Sequence, residues 1–230
     1  MFSSVFNLQF FFPYTCVLCH GKSERALDLC LDCEQDLPLV KNVCRYCGIH
    51  LDGDIKVCGR CLKNPPPFDY TFALCYYQHP ITQLVTNLKF HHQLINAKIL
   101  GELMAERLVK SRDLPECIIP VPLHSKRLKE RGFNQSLEIA RPIARSLKIP
   151  IDIKSCKRIR HTEAQTIIPA KLRKKNIKNA FKVDESFNAK HVAIVDDVVT
   201  TGNTISELSR MLRKVGVERI EVWCCARTAK

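Results

Sequence analysis

The chain has 230 residues, 46% of them apolar, and a formal net charge of +13. That suffices for one ordinary packed core with or without a small appendage, and no apolar run approaches the roughly 18 residues a membrane span needs, which excludes an integral helical membrane protein. The positive excess favours anionic partners, namely nucleic acid, phosphorylated metabolites or an acidic surface; a merely solvated basic face is the alternative.

The first stretch, MFSSVFNLQFFFPYTC, is apolar but has no basic n-region and no small-residue cleavage site. It runs directly into a cysteine pair, so it reads as a segment that packs on the folded chain rather than as a signal peptide. Thirteen cysteines would suit a secreted disulfide protein, yet eight of them form four CxxC pairs before residue 62. Cys16-x2-Cys19-x10-Cys30-x2-Cys33 recurs as Cys44-x2-Cys47-x10-Cys58-x2-Cys61, offset by 28 residues. Four thiolates in two close pairs make the closed tetrahedral site of structural zinc, so two Zn2+ are expected. Pairing is taken within each set; interleaved pairing would use the same residues, and Fe–S clusters or redox dithiols are the alternative chemistries. Reduced thiols of this kind point to a cytoplasmic location. So short a segment has little core, and the metal would supply much of its folding free energy. Cys75, Cys117, Cys156, Cys224 and Cys225 lack ligand spacing and read as core residues.

Asn64-Pro65-Pro66-Pro67-Phe68 is a stiff linker, which divides the chain into a cysteine-rich region at 1–63 and a larger domain at 68–230. YTFALCYYQ after it reads as a strand. Residues 81–112 carry helical periodicity on two faces, Ile81, Leu84, Val85 and Leu88, then Leu100, Leu103, Met104 and Leu108. Lys89, Phe90, His91 and His92 fall between the two helices; the adjacent histidines suit a surface or ligand-edge role better than a metal site. Residues 117–124 read as a short buried strand entering a Pro-rich turn. SKRLKERGFNQ then reads as a basic loop with Lys126, Arg127, Lys129 and Arg131, an anion site before a helix that Pro142 breaks or starts. Lys154 to Lys182 holds ten Lys or Arg and a single acid, Glu163. Residues 160–170 are expected to form a mobile loop that closes over a charged ligand, with Lys171 to Lys178 as its basic stalk.

VAIVDDVVTTGNT, Val192 to Thr204, organises the rest. Four apolar residues read as a buried strand, and an amphipathic segment with Ile205, Leu208, Leu212 and Val215 on one face follows. The acids and hydroxyls are thus expected on a loop between the carboxyl end of a strand and the start of a helix, where open α/β sheets bind ligands. A Thr-Gly loop at a helix start suits a phosphate, and Asp196 and Asp197 suit sugar hydroxyls or Mg2+. Phosphate, diol and metal together describe a ribose 5-phosphate. The stretch resembles the PRPP-binding motif of type I phosphoribosyltransferases. The closing strand, 219–227, completes an alternation of strands and helices that supports a parallel sheet, so the expected fold is α/β with flanking helices.

Several segments together are similar to the ComF family of competence-associated proteins, which are phosphoribosyltransferase-like with an N-terminal zinc ribbon region. The resemblance rests on the CxxC pairs, PPPFD at 65–69, LKFHHQ at 88–93, IPVPLH at 119–124, RLKERGFNQ at 127–135, VDDVVTTGNT at 195–204, and the spaced Arg160, Thr162, Gln165, Arg173 and Asn176 with Ala180-Phe181. It implies that Asp196 and Asp197 hold the ribose hydroxyls of PRPP. It implies further that Thr200, Thr201, Gly202, Asn203 and Thr204, following Val198 and Val199, hold the 5-phosphate. Pro120, Val121, Pro122 and Leu123 would meet the pyrophosphate, and Arg160, Thr162 and Gln165 would belong to the flexible loop. Ile167 and Ile168 depart from the family, in which glycine and leucine are frequent there. The implied role is DNA uptake in natural transformation, with single-stranded DNA and other uptake proteins as partners. Lys126, Arg127, Lys129, Arg131, Arg173, Lys174 and Lys175 are the nucleic-acid candidates, and Mg2+ would accompany PRPP. An active phosphoribosyltransferase acting on a base is the alternative. A PRPP-sensing regulator ranks last, since no helix-turn-helix is visible.

Overall fold

The computed structural model describes residues 14–110, 113–160 and 177–228. The N-terminal apolar stretch to residue 13, together with Thr162, Gln165, Ile167, Ile168, Arg173, Lys174 and Lys175, lies outside the described residues. The chain divides into two compact units, residues 1–37 and 38–230.

In the first unit a tight turn carries Cys16 and Cys19, and a short helix, α1 (Leu31–Gln35), follows Cys30. The second unit repeats this conformation at the 28-residue offset. Cys16 N donates to Gly21 O at 2.8 Å, as Cys44 N does to Ile49 O at 2.8 Å. Val17 N–H to Asp28 is matched by Arg45 N–H to Lys56, and Ser23 N–H to Tyr14 by Leu51 N–H to Asn42. The left-handed turn residue is His20 (φ 62°) in one and Gly48 (φ 67°) in the other. Helix α2 (Gly59–Lys63) after Cys58 corresponds to α1. Thus the cysteine spacing encodes one local fold twice.

The second unit is built on four parallel strands in the order β1-β6-β5-β2: β1 (Tyr70–Tyr76), β6 (Arg219–Arg227), β5 (His191–Val199) and β2 (Cys117–Pro120). Strands this apolar must be covered on both faces. Helix α7 (Asn203–Lys214) covers one, with Ile205, Leu208 and Leu212 packed on Val192, Ile194, Val222 and Cys224. On the other, α4 (Ile95–Leu108) reaches β6, where Cys225 Sγ lies 3.6 Å from Met104 Sδ, and α6 (Gln135–Leu147) packs against β5 and β2. The five cysteines without ligand spacing are all buried in this unit. No helix among the described residues is long and apolar enough to cross a membrane.

Two local expectations change. Ser125–Arg131, read as a loop, is a helix, α5; His124 caps it, its ring nitrogen accepting from Lys126 N, and Gly132 (φ 79°) ends it. It buries no residue, so no apolar period announces it. Pro142 lies inside α6 and does not break it. Its ring fits against α4 at Gly101, where an added Cβ would come within 2.3 Å of Pro142 Cγ and 2.5 Å of Ile139 O. The absent side chain lets the two helices touch at backbone distance.

The Pro-rich linker is pinned through Asp69. Its Oδ2 accepts from Arg213 Nη2 at 2.6 Å and from Ile220 N at 2.7 Å, fastening it to the end of α7 and the start of β6. Residues 38–47 run beside the outer edge of β1, with Val40 N donating to Leu74 O and Thr71 N to Arg45 O. The second four-cysteine knot is thereby packed against the sheet.

Candidate functional site

β5 is longer than its apolar run suggests. Asp196 and Val198 still pair in register with Cys224 and Ala226 of β6, so the acids stand on the strand's last turns rather than on the loop beyond it. Ladder bonds therefore hold their backbone rigid. Thr200 to Gly202 form the turn, Gly202 takes φ 76° as the helix cap, and α7 begins at Asn203 without a side-chain cap. Gly202 has no side chain to cap α7, and Asn203 N, the first N–H of the helix, donates to Thr201 Oγ1 of the turn at 3.4 Å.

These residues line a cavity of about 500 Å3 at the carboxyl end of the sheet. Asp196, Asp197, Val198, Thr200 and Thr204 form one wall, and Val121 and Leu123 from the end of β2 another. Arg127 and Arg131 of α5 and Arg158 of β3 (Cys156–Arg158) supply positive charge and Glu130 of α5 a further acid; Tyr77, Lys89, Phe90 and His92 also line the cavity. A cavity of this size suits a small metabolite.

Asp197 is 3% exposed. Its Oδ1 lies 2.8 Å from the ammonium of Lys89, near the end of α3 (Ile81–Phe90), while its Oδ2 has no hydrogen-bond partner among the described residues. Asp196 Oδ1 accepts from Ser136 Oγ at 3.0 Å and from Asp197 N at 3.0 Å. Burial, then the neighbouring charge of Asp197, pushes the Asp196 carboxyl up to about 7, against the pull of Lys89. Burial pulls the Arg158 guanidinium down to about 10, with the like charge of Arg127 acting the same way. The cavity thus sets the paired acids, Asp196 poised near neutrality, beside a rim in which Arg127, Arg131 and Arg158 outnumber Glu130.

The Asp196 shift makes a stability prediction. The carboxyl titrates higher in the folded chain than in the unfolded one, so its contribution is full below the unfolded value near 3.8 and is lost as pH rises through about 7. Between pH 5.5 and 8 this loss should be about 2 kcal/mol. Asp196→Asn should flatten the thermal-melt profile over that interval and raise Tm at pH 8. An unchanged slope would show that Asp196 is ionised throughout.

The stem of the expected flexible loop is described. β3 pairs antiparallel with β4 (Phe181–Val183), and Arg160 Nη1 donates to Lys178 O at 2.5 Å beyond the pairing. Asn179 N donates to the buried Glu207 of α7 at 2.7 Å. The described residues on either side of 161–176 thus belong to or adjoin β3 and β4, and Arg158 of β3 lines the cavity.

Of the basic candidates, Arg127 and Arg131 face the cavity while Lys126 and Lys129 are exposed on α5. Pro120 ends β2, Pro122 is half-buried next to the lining residues Val121 and Leu123, and Val199 is buried behind the loop. Lys89, Ser136 and Arg158 were not singled out from the sequence; of them only Lys89 lay within a recognisable segment, LKFHHQ.

Each cysteine set gathers within itself, all four sulfurs of a set lying within 4.8 Å of one another. Cys19 and Cys30 sulfurs are 3.8 Å apart, as are those of Cys47 and Cys58. Tetrahedral zinc with thiolates at about 2.3 Å requires a sulfur separation of about 3.8 Å. Burial raises the Cys44 thiol, but backbone N–H groups of Cys47, Cys58 and Tyr46 outweigh it and bring it down to about 7; Cys16 falls likewise to about 6. The donor sets fit structural zinc.

A parallel sheet with paired acids and a Thr-Gly turn on its central strand, together with two four-cysteine knots, defines a phosphoribosyltransferase-type domain with a double zinc ribbon. Residues 7–62 match the Double zinc ribbon domain family and residues 134–230 the Phosphoribosyl transferase domain family. Competence protein F of Haemophilus influenzae is 38% identical over 94% of this chain and 98% of its own. DNA utilization protein YhgH of Escherichia coli K12 is 36% identical over 87% of this chain and 90% of its own. The chain belongs to the family of these two proteins, the ComF family. Among solved structures, glutamine PRPP amidotransferase from B. subtilis, complexed with ADP and GMP, aligns with 56% of this chain and 25% of its own at 21% identity and a TM-score of 0.38.

Proposed function

We propose that this protein binds PRPP, or a related phosphorylated ribose, in the cavity at the end of β5 and serves in the uptake and use of DNA from the cytoplasmic side. The observation that carries the ligand is Asp197 Oδ2, a buried carboxylate oxygen without a hydrogen-bond partner among the described residues, beside a Thr-Gly turn at a helix start. Such an atom is costly unless something donates to it or binds to it. A ribose diol meets that need, and α7 offers its N–H groups to the 5-phosphate. Asp196 and Asp197 also fit Mg2+, a hard cation that takes carboxylate oxygens and would offset the charge of a pyrophosphate. Arg127, Arg131 and Arg158 stand where that anion would lie. The names of the two relatives support the DNA role. The exposed Lys126 and Lys129, with the basic stretch 171–178, support handling of single-stranded DNA by salt-sensitive contact.

A second reading, transfer of ribose 5-phosphate from PRPP to a base, is favoured by the intact acid pair and turn. A nitrogen of the acceptor would bond to C1 of the ribose as the pyrophosphate oxygen leaves with the bonding electrons. The protein's part would be charge stabilisation and exclusion of water.

Addition of PRPP with Mg2+ at about a hundredfold over Kd should stabilise the chain by about 2.7 kcal/mol, a rise of several degrees in Tm. The Asp196→Asn, Asp197→Asn double variant should show none. An unshifted wild type rejects the PRPP reading. Pyrophosphate release with a base present separates the enzyme from the binder, and filter binding of single-stranded DNA at two salt concentrations tests the strand contact.

A further inference from the structure

We infer that the first cysteine knot is an oxidation site: a peroxide attacks Cys19, a disulfide closes within the set and zinc is released, while the second knot keeps its metal. No cysteine of either knot lines the cavity, so this stands independently of the ribose 5-phosphate reading.

The repeat carries its own internal comparison. Both sets have the same ligand spacing, the same turn hydrogen bonds and the same short helix after the third cysteine. Their metal chemistry is therefore alike, and only their surroundings set them apart. In the second knot Cys44, Cys58 and Cys61 are buried and Cys47 is half-buried. Ile49 is buried with them, and Tyr46, Leu51 and Val57 pack against this small core. The turn between Cys44 and Cys47 is also fastened to the sheet. Arg227 Nε donates to Cys47 O at 2.7 Å, and the Thr71 hydroxyl donates to Tyr46 O. Gly48 lies so near Thr71 that an added Cβ would come within 3.0 Å of its Cγ2. At the 28-residue offset Cys19 takes the place of Cys47 and His20 that of Gly48, and both are exposed. Cys30 and Cys33 are half-buried, and in this set only Cys16 is buried. Oxidation of a cysteine follows its thiolate character and its exposure. Zinc holds all four sulfurs as thiolates in either knot, so exposure decides, and it selects Cys19.

Hydrogen peroxide, small and uncharged, is the oxidant. Cys19 Sγ attacks one peroxide oxygen, the O–O bond breaks, and a sulfenic acid forms as hydroxide leaves. Cys30 Sγ lies 3.8 Å from Cys19 Sγ. It attacks the oxidised sulfur and displaces a second hydroxide, which closes the disulfide. Two thiolates are thereby oxidised to one disulfide, and the peroxide is reduced to two hydroxides. Cys16 and Cys33 remain, and two thiolates are too few for the closed four-sulfur site of structural zinc.

Hydrogen peroxide added to the full zinc-loaded chain tests this, with released zinc read by a chromogenic chelator and the cysteines mapped by mass spectrometry. The first equivalent of zinc should leave on the order of tenfold faster than the second. Mapping at that point should find Cys19 joined to Cys30, with Cys44, Cys47, Cys58 and Cys61 still alkylated as thiols. A thiol reductant with fresh Zn2+ should restore the equivalent that was lost. Cys19→His keeps a zinc ligand in the set but has no sulfur to oxidise, so it should abolish the fast phase. Cys47→His makes the same exchange in the second knot and should leave the fast phase in place. Release of both equivalents at one rate, or a fast phase that persists in Cys19→His, overturns the inference. A disulfide within the second set or between two chains overturns it as well. If Cys19→His does not take up its full zinc, the release rates and the disulfide map of the wild type decide by themselves.

Discussion

Lys89→Met is expected to cost about 3–5 kcal/mol of stability, because it removes one partner of a buried ion pair and leaves the other in place. Lys89 Nζ is 2.8 Å from Asp197 Oδ1, and the two side chains are 21% and 5% exposed. Burial alone would lower the ammonium's pKa, but the Asp197 charge and its hydrogen bond outweigh that and raise it. The pair's contribution is therefore full at neutral pH and would be lost only as pH climbed through the raised lysine value. Without Lys89, Asp197 would face Asp196 without its hydrogen-bonded ammonium, its Oδ2 having no partner among the described residues and the guanidinium of Arg131 acting on it only as a charge at longer range. One carboxyl would then have to take up a proton to stay buried. Adding Asp197→Asn should recover much of the loss, so the double variant should be more stable than the sum of the singles predicts. Urea melts of the four proteins give the coupling directly. A Lys89→Met protein within about 1 kcal/mol of wild type would mean that water reaches Asp197 and the pair is not buried in solution.

Where each feature became legible depends on the range of the physics behind it. The cysteine repeat was readable because ligand spacing and turn geometry are local, and the same hydrogen bonds recur at the same offset in the structure. The apolar run before Asp196 and the period after Thr204 were readable because burial on two faces of a sheet and on one face of a helix writes directly into residue order. Helix α5 was not, since it buries nothing and starts on a histidine rather than on Ser, Thr, Asp or Asn. Pro142 read as a helix break because its accommodation depends on Gly101, forty-one residues earlier on another helix. Lys89 carries no local sign of its task; only the fold brings it to an aspartate more than a hundred residues away. Phe90 was readable in principle, as the aromatic residue that misses its own helix's apolar face.

Arg227→Met should weaken both the fold and the phosphate turn, since one buried guanidinium joins the second zinc knot to that turn. Its Nε donates to Cys47 O at 2.7 Å, and Nη1 donates to Val199 O and Thr228 O, each at 3.0 Å, and to Thr200 O. Arg60 of α2 adds a longer contact to Thr201 O at 3.5 Å. Burial pulls the Arg227 pKa down, yet the carbonyls around it hold the charge. Methionine keeps the volume and removes every donor. Each buried carbonyl left without a partner costs about 1–3 kcal/mol, so a loss of about 3 kcal/mol or more is expected, or roughly 6–12 °C in Tm. Lysine, a point charge without the fork, should restore only part of this. Zinc acts on the same joint from the other side. Structural zinc in a four-thiolate site contributes about 10–16 kcal/mol of apparent binding free energy, and without it residues 44–61 have only a small core around Ile49. Chelation should therefore free the Cys47 carbonyl from its fixed place and lower ribose 5-phosphate affinity, although no zinc ligand lines the cavity. In Arg227→Met the joint is already cut, so chelation should lower affinity much less than in the wild type. Equal losses in the two proteins would show that the zinc knot and the phosphate turn are held independently.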